Sequence, residues 1–204
     1  MSTEIKTIFT DIGKLLLTNG WDRNARRLAV ERFALDAAEL DDRHHLAFDI
    51  FESGKMTLDE YLDYIVFYQD RPYSRDDFKE FMYSYSQPLD GMLQYMYALK
   101  EKYGLKVVAV SNEGRELNEY RIRKFALDKL IDFFVSSSFV YLRKPDKAIF
   151  KLAVDLAQTP LEQIAYIDDR PLFVQVAQSL GIKGIVHTGL ESTRAAFIGL
   201  GLEL

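Results

Sequence analysis

The chain predicts an α/β fold, a doubly wound parallel sheet with a helical bundle inserted after its first strand, and three observations carry that prediction. From Leu89 to the C-terminus, short apolar runs of strand length alternate with helical patterns of about 10–15 residues. One further apolar run, Thr7-Ile-Phe-Thr10, stands alone near the N-terminus. Between the two lies a stretch, Asp22 to Gln87, whose periodicity is helical throughout. Sheets of this kind gather ligands beyond the carboxyl ends of their strands, so the polar residues that follow each apolar run are where a site is expected.

Taken in order, Ile8 and Phe9 place the first strand in the middle of a parallel sheet, and the strand ends at Asp11. Gly13 lets the backbone approach a ligand closely, and a carboxylate there suits a nucleophile or a metal ligand. The chain turns polar at Thr18-Asn19-Gly20. Ala25, Leu28, Ala29 and Phe33 then form one helical stripe, and a second helix is expected over Asp42 to Phe51, ended by Ser53-Gly54. Thr57-Leu-Asp-Glu60 is a capping box, followed at one-face spacing by Leu58, Tyr61, Leu62, Ile65 and Val66. Arg71-Pro72 breaks the pattern, Ser74 caps the next start, and Phe78, Phe81, Met82 and Tyr85 supply a fourth stripe before Pro88. Four short helices with apolar faces make a small bundle.

Beyond it, a helix carrying Met92, Leu93, Met96 and Leu99 stops at Gly104, and Leu105 to Val110 reads as a buried strand ending in Ser111-Asn112. Helix Glu116–Phe125, strand Phe133–Val135 and a helix from Pro145 to Leu156 follow. Strand Ile164–Ile167 ends in Asp168-Asp169, a helix closes at Gly181, and Gly184–Val186 is the last strand. The expected organisation is a Rossmann-like core from residues 1–18 and 88–204, with residues 19–87 as a helical cap over the carboxyl edge of the sheet.

Composition narrows the function classes. At 204 residues the chain suffices for one good core and an insertion, and 48% hydrophobic with 28% charged residues leaves no large disordered segment. A net charge of −5 gives a phosphate backbone no footprint, so nucleic acid is not an expected partner. The absence of cysteine removes disulfides and thiolate chemistry and agrees with a reducing compartment. The stretch Met1–Lys6 is polar, and no apolar run has membrane-spanning length, so a cytoplasmic protein without membrane contact is expected.

Four polar clusters fall at strand ends or beside them: Asp11, Ser111-Asn112, Arg143-Lys144-Pro145 and Asp168-Asp169. A carboxylate nucleophile needs a cation opposite and donors around the group it attacks. Lys144 supplies the fixed positive charge, while Ser111 with the amides after it offers an anion cradle at a helix start. Asp11, the Gly13 carbonyl and Asp169 give Mg²⁺ an all-oxygen site, with Asp168 holding the metal's waters or orienting Lys144.

These four motifs in this order resemble the haloacid dehalogenase superfamily over the whole chain, and the helices between the first two motifs resemble its helical-cap subclass. The resemblance implies an Mg²⁺-dependent phosphatase acting on a small phosphorylated metabolite. Asp11 would form an aspartyl-phosphate, Ser111, Asn112 and Lys144 would bind the phosphoryl group, and Asp169 would be the metal carboxylate. The sequence departs from the common pattern at Gly13, where most phosphatases of the superfamily carry a second Asp as general acid and base. Losing such a group is expected to cost on the order of 10²–10⁴ in rate, which favours substrates with good leaving groups. In its Asp-x-Gly the chain resembles some sugar-phosphate phosphatases of the superfamily. Two other readings stay open: a 2-haloacid dehalogenase, which uses the same Asp on carbon without metal, and a catalytically degenerate binding protein.

Several further residues are candidates with an ordinary explanation. Lys14 reaches phosphate or extends into solvent, with solvent the simpler expectation. His44 and His45 read as solvated or core histidines without a metal-ligand partner, and His187 as a loop residue. Trp21, Asn19 and Arg23 lie where the chain leaves the sheet, and Tyr61, Tyr64 and Tyr68 lie at helical spacing where packing is the default.

Overall fold

The computed structural model describes residues 4–204, so the first three residues of the polar stretch Met1–Lys6 lie outside the described residues. Strand β1 (Thr7–Thr10) is followed by four helices, α1 (Arg23–Phe33), α2 (Ala37–Glu52), α3 (Leu58–Ile65) and α4 (Arg75–Ser84). Alternation then begins with α5 (Met92–Tyr103), β2 (Lys106–Ser111), α6 (Arg115–Lys124), β3 (Phe133–Ser136) and α7 (Ser137–Val140). It continues through α8 (Lys147–Ala157), β4 (Ile164–Asp168), α9 (Pro171–Gln178) and β5 (Lys183–Val186) to α10 (Leu190–Gly199). All strand pairs are parallel, in the order β3-β2-β1-β4-β5, so β1 is central as its apolar pair Ile8 and Phe9 requires.

Side chains alternate across the sheet with period two, and each face has its own core. On one face Ile8, Val107, Ala109 and Ile167 pack with Met92, Met96 and Leu99 of α5 and Phe197 of α10. On the other Phe9, Val108, Val110 and Tyr166 pack with Ile149, Phe150 and Ala153 of α8 and Val174 of α9. The inserted helices bury a third cluster, including Trp21, Ala29, Leu40, Phe51, Tyr61, Phe78 and Met82. Leu117 of α6 belongs to that third cluster, which fastens the insertion to the sheet layer.

Helix starts follow their caps. Asp22 accepts from the Ala25 amide at 2.9 Å and opens α1, and the capping box of Thr57 and Glu60 opens α3 as its sequence requires. Ser74 and Asp77 form a second capping box at α4. The second helix begins at Ala37 rather than at Asp42, because Asp36 caps it through the Glu39 amide at 2.9 Å. The helix expected from Pro145 begins instead at Lys147, where Asp146 accepts from the Ala148 amide at 2.9 Å. Pro145 therefore stays in the segment that carries Lys144. Helix α10 has no counterpart in the sequence reading, since only Thr193 and Phe197 on it are buried and two positions make no stripe.

The segments leaving and re-entering the core at the insertion run together. Thr18 donates its amide to the Gln87 carbonyl at 2.8 Å, and Leu89 donates to Leu16 at 3.0 Å. The inserted helices thus stand over the carboxyl ends of β1, β2 and β4.

Candidate active site

Asp11 lies one residue past Thr10, whose register partners are Ala109 of β2 and Ile167 of β4, and the Asp11 amide donates to the Ile167 carbonyl at 3.0 Å. Ser111 closes β2 and Asp168 closes β4, so three strand ends deliver their polar groups to one edge. Lys144 joins them from the loop before α8. Its Nζ is 3.2 Å from Asp11 Oδ1 and 2.6 Å from Asp168 Oδ2, and it donates to the Tyr166 hydroxyl at 3.1 Å. Tyr166 in turn donates to Asp168, and the Arg170 amide donates to Asp168 Oδ1 at 2.7 Å.

This is a buried charge cluster, and its electrostatics follow from that. Burial alone would pull the Lys144 ammonium down, but Asp11 and Asp168 together outweigh it and hold the amine above its ordinary value, charged. Asp11 is pushed up from the usual carboxylate range, first by burial and also by Asp168. Lys144, the Ser111 hydroxyl and the Ile12 amide oppose that shift. Asp169 is raised as well, by burial and by the charges of Asp11 and Asp168. Oxygens of Asp11, Asp168 and Asp169 lie within 4.8 Å of one another. Three carboxylates against Lys144 and the exposed Lys14 leave a net negative charge, and an all-oxygen donor set at this spacing fits a hard divalent cation. Asp168 already accepts from Lys144, Tyr166 and Arg170, so Asp11 and Asp169 have the freer oxygens for such an ion.

The expected anion cradle after Ser111 is narrower than the sequence suggested. The Glu113 amide donates to Ser137 Oγ at 3.0 Å and the Gly114 amide to the Glu113 side chain at 3.1 Å, while α6 itself starts only at Arg115. Asn112 spends its amide on the backbone of Lys144, donating to its carbonyl and accepting from its N–H, both at 2.9 Å. That pair positions the lysine and keeps the Lys144-Pro145 segment out of α8.

Gly13 lines the cavity beside Asp11, and its backbone is outside the left-handed region, so conformation does not demand glycine here. A Cβ on residue 13 would lie closer than 3.0 Å to Asn19 Oδ1, so any side chain there must turn the end of Asn19 aside. Asn19 thus fills the space where a side chain at position 13 would project, and among the described residues its amide makes no hydrogen bond to protein. Lys14 is half-exposed at a φ of 52°, and its ammonium lies 3.9 Å from Asp169 Oδ2. It faces that carboxylate, a role neither sequence alternative contained.

Between the sheet edge and the inserted helices lies a cavity of about 280 Å³ lined by Asp11, Asn19, Arg26, His44, Glu113 and Lys144, among others. Trp21, Arg23, Arg143, Asp169 and Arg170 also face it. Arg143 binds Glu52 and, at 2.8 Å, Asp49, tying α2 to the segment that carries Lys144. Buried Arg121 donates to the Thr18 carbonyl and, at 2.7 Å, to Glu113, whose carboxyl burial pushes up to about 7 against the pull of that arginine.

His44 belongs to this wall rather than to solvent. The Trp21 indole N–H, a donor only, reaches the Tyr61 hydroxyl at 2.9 Å, and that hydroxyl lies 2.6 Å from His44 Nδ1. Tyr61 is fully buried, so its own proton has nowhere to go but His44 Nδ1, which fixes the Nε2–H tautomer. Burial, then the charge of Arg26, pushes His44 down to about 3, so the ring is neutral at physiological pH. His45 is exposed, and Tyr64 and Tyr68 are outside the cavity. His187 lies in the loop just after β5, as expected, and is buried there, with Nδ1 2.7 Å from Thr193 Oγ1.

Sequence reasoning missed Tyr166, the pairs Glu113–Arg121 and Glu52–Arg143, and the cavity faces of Arg26 and His44. Tyr166 had a local signal, since it sits two residues before Asp168 on a strand and shares its face. The two pairs are eight and ninety-one residues apart, and the second has no signal short of the fold.

Comparison with known proteins agrees with this architecture. A family model described as haloacid dehalogenase-like hydrolase matches residues 5–181. The HAD family enzyme BT-2542 of Bacteroides thetaiotaomicron superposes with a TM-score of 0.81 at 22% identity, covering 96% of this chain and 99% of that one. The same enzyme in complex with magnesium and inorganic phosphate gives a TM-score of 0.73, also at 22% identity, over 89% of this chain and 93% of that one. A HAD-like family hydrolase of Porphyromonas gingivalis superposes with a TM-score of 0.77 at 19% identity, over 99% of this chain and all of that one. Among curated sequences, "Putative pyrophosphatase PpaX" of Caldanaerobacter subterraneus subsp. tengcongensis is 26% identical over 134 residues, 66% of this chain. The chain matches only about half of that relative's length, 54%.

Proposed function

We propose, from the premise that this chain belongs to the haloacid dehalogenase-like hydrolases, that it is an Mg²⁺-dependent phosphatase of a small phosphorylated metabolite with a good leaving group. The observation that carries the proposal is the buried Lys144 ammonium, 3.2 Å from Asp11 and 2.6 Å from Asp168, beside a further carboxylate at Asp169. The three carboxylates gathered beside Asp11 suit a cation, which a dehalogenase attacking carbon does not need, and this speaks against the dehalogenase alternative. The magnesium and phosphate bound by BT-2542 are in keeping with the same reading.

Asp11 and Asp169, with the Gly13 carbonyl, would hold Mg²⁺, which when bound would supply neutralisation of phosphoryl charge next to the acidic cluster, and Asp168 keeps Lys144 in place. Asp11 attacks phosphorus through one carboxylate oxygen; a P–O bond forms to Asp11 as the bond to the leaving oxygen breaks, and that oxygen departs with the electron pair. Lys144 and the Ser111 hydroxyl face the phosphoryl oxygens throughout and stabilise the charge that builds on them. Water then attacks phosphorus, releases inorganic phosphate and returns Asp11 as a carboxylate. The inserted helices exclude bulk water from the cavity meanwhile.

The leaving group follows from Asn19. A carboxyl at position 13 would hand a proton to the departing oxygen, whereas Gly13 with the Asn19 amide oxygen beside it has no proton to give. Anomeric, aryl and acyl phosphates leave without that proton more readily than alkyl esters. The test is phosphate release from glucose 1-phosphate and p-nitrophenyl phosphate against glycerol 3-phosphate, with and without Mg²⁺. Turnover that continues undiminished in Asp11→Asn, or in the presence of EDTA, would sink the proposal.

A further inference from the structure

Resting on the phosphatase reading, we infer that the cavity contains, on its helical side, a subsite for a second anionic group of the substrate, with Arg26 and His44 as its core and Arg23 and Arg170 at its rim. The argument is one of unspent donors. Lys144 is matched by Asp11 and Asp168, Arg143 by Glu52 and Asp49, and Arg121 by Glu113. Arg26 is not matched in this way. Its side chain is only 13% exposed, yet its contacts are the Trp21 carbonyl at 3.1 Å and the Asp41 carboxylate at 3.9 Å, the latter too long for a hydrogen bond. The nearby Asp22 carboxylate caps α1 through Oδ1 and acts on Arg26 only through its charge, without a hydrogen bond. A guanidinium carries five N–H donors, and those of Arg26 that no protein group takes are not sealed off from open space, so an anion entering the cavity can use them.

His44 faces the same space. Its Nδ1 is bound by Tyr61, and among the described residues its Nε2–H has no protein partner and is not sealed off from open space. Arg26 lies close enough for its charge to act on the His44 ring. Arg23 and Arg170 also face the cavity, and among the described residues neither guanidinium makes a hydrogen bond or an ion pair. Arg170 lies over the Phe173 ring, 5.4 Å away, and its charge acts on Glu52 and Asp169 without a direct ion pair. The phosphoryl group needs none of these four, since Lys144 and Ser111 stand beside Asp11. What they suit is an anion at the other end of a short molecule, a carboxylate or a second phosphoryl group, and a cavity of about 280 Å³ keeps that molecule small. Binding energy from such a remote group also helps to hold the phosphoryl end against Asp11.

The test is calorimetric and independent of turnover. Asp11→Asn protein, full-length and with Mg²⁺ present, is titrated with inorganic phosphate, glycerol 3-phosphate, 3-phosphoglycerate and propane-1,3-diol bisphosphate. At least tenfold tighter binding of the carboxylate or the bisphosphate ester than of glycerol 3-phosphate is expected, and whichever of the two gains identifies the anion. In Arg26→Gln that preference shrinks at least fivefold, and Arg26→Lys restores part of it. Phosphate binding with equal affinity for the three esters, or a preference that survives Arg26→Gln, overturns the subsite and leaves the phosphatase reading standing. Failure of all four ligands to bind overturns both. Should Arg26→Gln not fold, the comparison of the three esters in the Arg26 protein decides the matter by itself.

Discussion

The side-chain carbonyl of Asn19 occupies the space into which any Cβ on residue 13 would project. A larger residue at 13 therefore has to turn the Asn19 side chain aside, which couples the two positions. Gly13→Asp is expected to cost up to about 1 kcal/mol of stability as Asn19 is turned aside, without gaining activity on glycerol 3-phosphate while Asn19 crowds the new carboxyl. Gly13→Asp combined with Asn19→Gly removes the clash, and its glycerol 3-phosphate activity is expected to rise at least tenfold over the single variant. Urea midpoints and kcat/KM on the two ester types check both statements. A single Gly13→Asp that is fully stable would mean Asn19 yields easily and the pairing is incidental.

Lys144 stands between two carboxylates, and its removal leaves both without their cation. Lys144→Met is expected to cost about 3–5 kcal/mol, the usual consequence of stranding a buried charge, and to abolish phosphate release. Adding Asp168→Asn neutralises one stranded carboxylate, so part of the stability returns while activity does not. Denaturant titration of the three proteins separates these effects, and a Lys144→Met protein as stable as the parent would contradict the buried pairing.

Metal affinity provides an independent readout. Titration of the protein with Mg²⁺ by calorimetry is expected to show one site, weakened at least tenfold by Asp169→Asn, and EDTA is expected to stop turnover. Lys14, at 3.9 Å from the same carboxylate and half-exposed, repels the ion weakly. Lys14→Gly is expected to tighten Mg²⁺ by about two- to fivefold at low salt, less as ionic strength rises. No change with Lys14→Gly would show that the lysine swings clear when the ion binds.

The neutral His44 ring makes stability depend on pH in a defined direction. Its folded value of about 3 lies below the ordinary 6.5, so the unfolded chain binds the extra proton between those limits. Stability from this group is complete above pH 6.5 and drains away as the pH falls toward 3. Between pH 6.5 and pH 5 the loss is about 2 kcal/mol. His44→Gln lacks that term, so its urea midpoint should fall less over the same interval than the parent's. A His44 NMR resonance that titrates near pH 6.5 would overturn the assignment.

Much of the fold is legible in the sequence because its signals are local. Ile8, Phe9 and the run Val107–Val110 are apolar on both sides, which marks them as interior parallel strands, and Thr57 with Glu60 announces α3 through two hydrogen bonds three residues apart. Helix α10 is not legible, because only two of its residues face the core. The site divides along the same line. Asp11, Ser111 and Asp168 could be located because each ends an apolar strand, and sheet topology brings such ends together. The roles of Asn112 and Tyr166 in holding Lys144 could not be inferred, since a side chain's hydrogen-bond partners depend on which loop passes it in space. Arg26 and His44 sit on two different helices, and only the packing of α1 against α2 and α3 turns them toward a common space.

The chain leaves the sheet after Leu17 and rejoins it at Pro88, and the two points touch through a bridge and paired hydrogen bonds. Everything between can in principle be excised and the ends rejoined by a short turn, without rethreading any strand. A lineage could therefore exchange the roof over the cavity for an unrelated one while its floor stayed as it is. The graft would have to satisfy the many places where roof and floor interlock, among them the Phe51 ring pressed against Gly114, Arg143 on Glu52 and Asp49, and Tyr83 stacked on Tyr120.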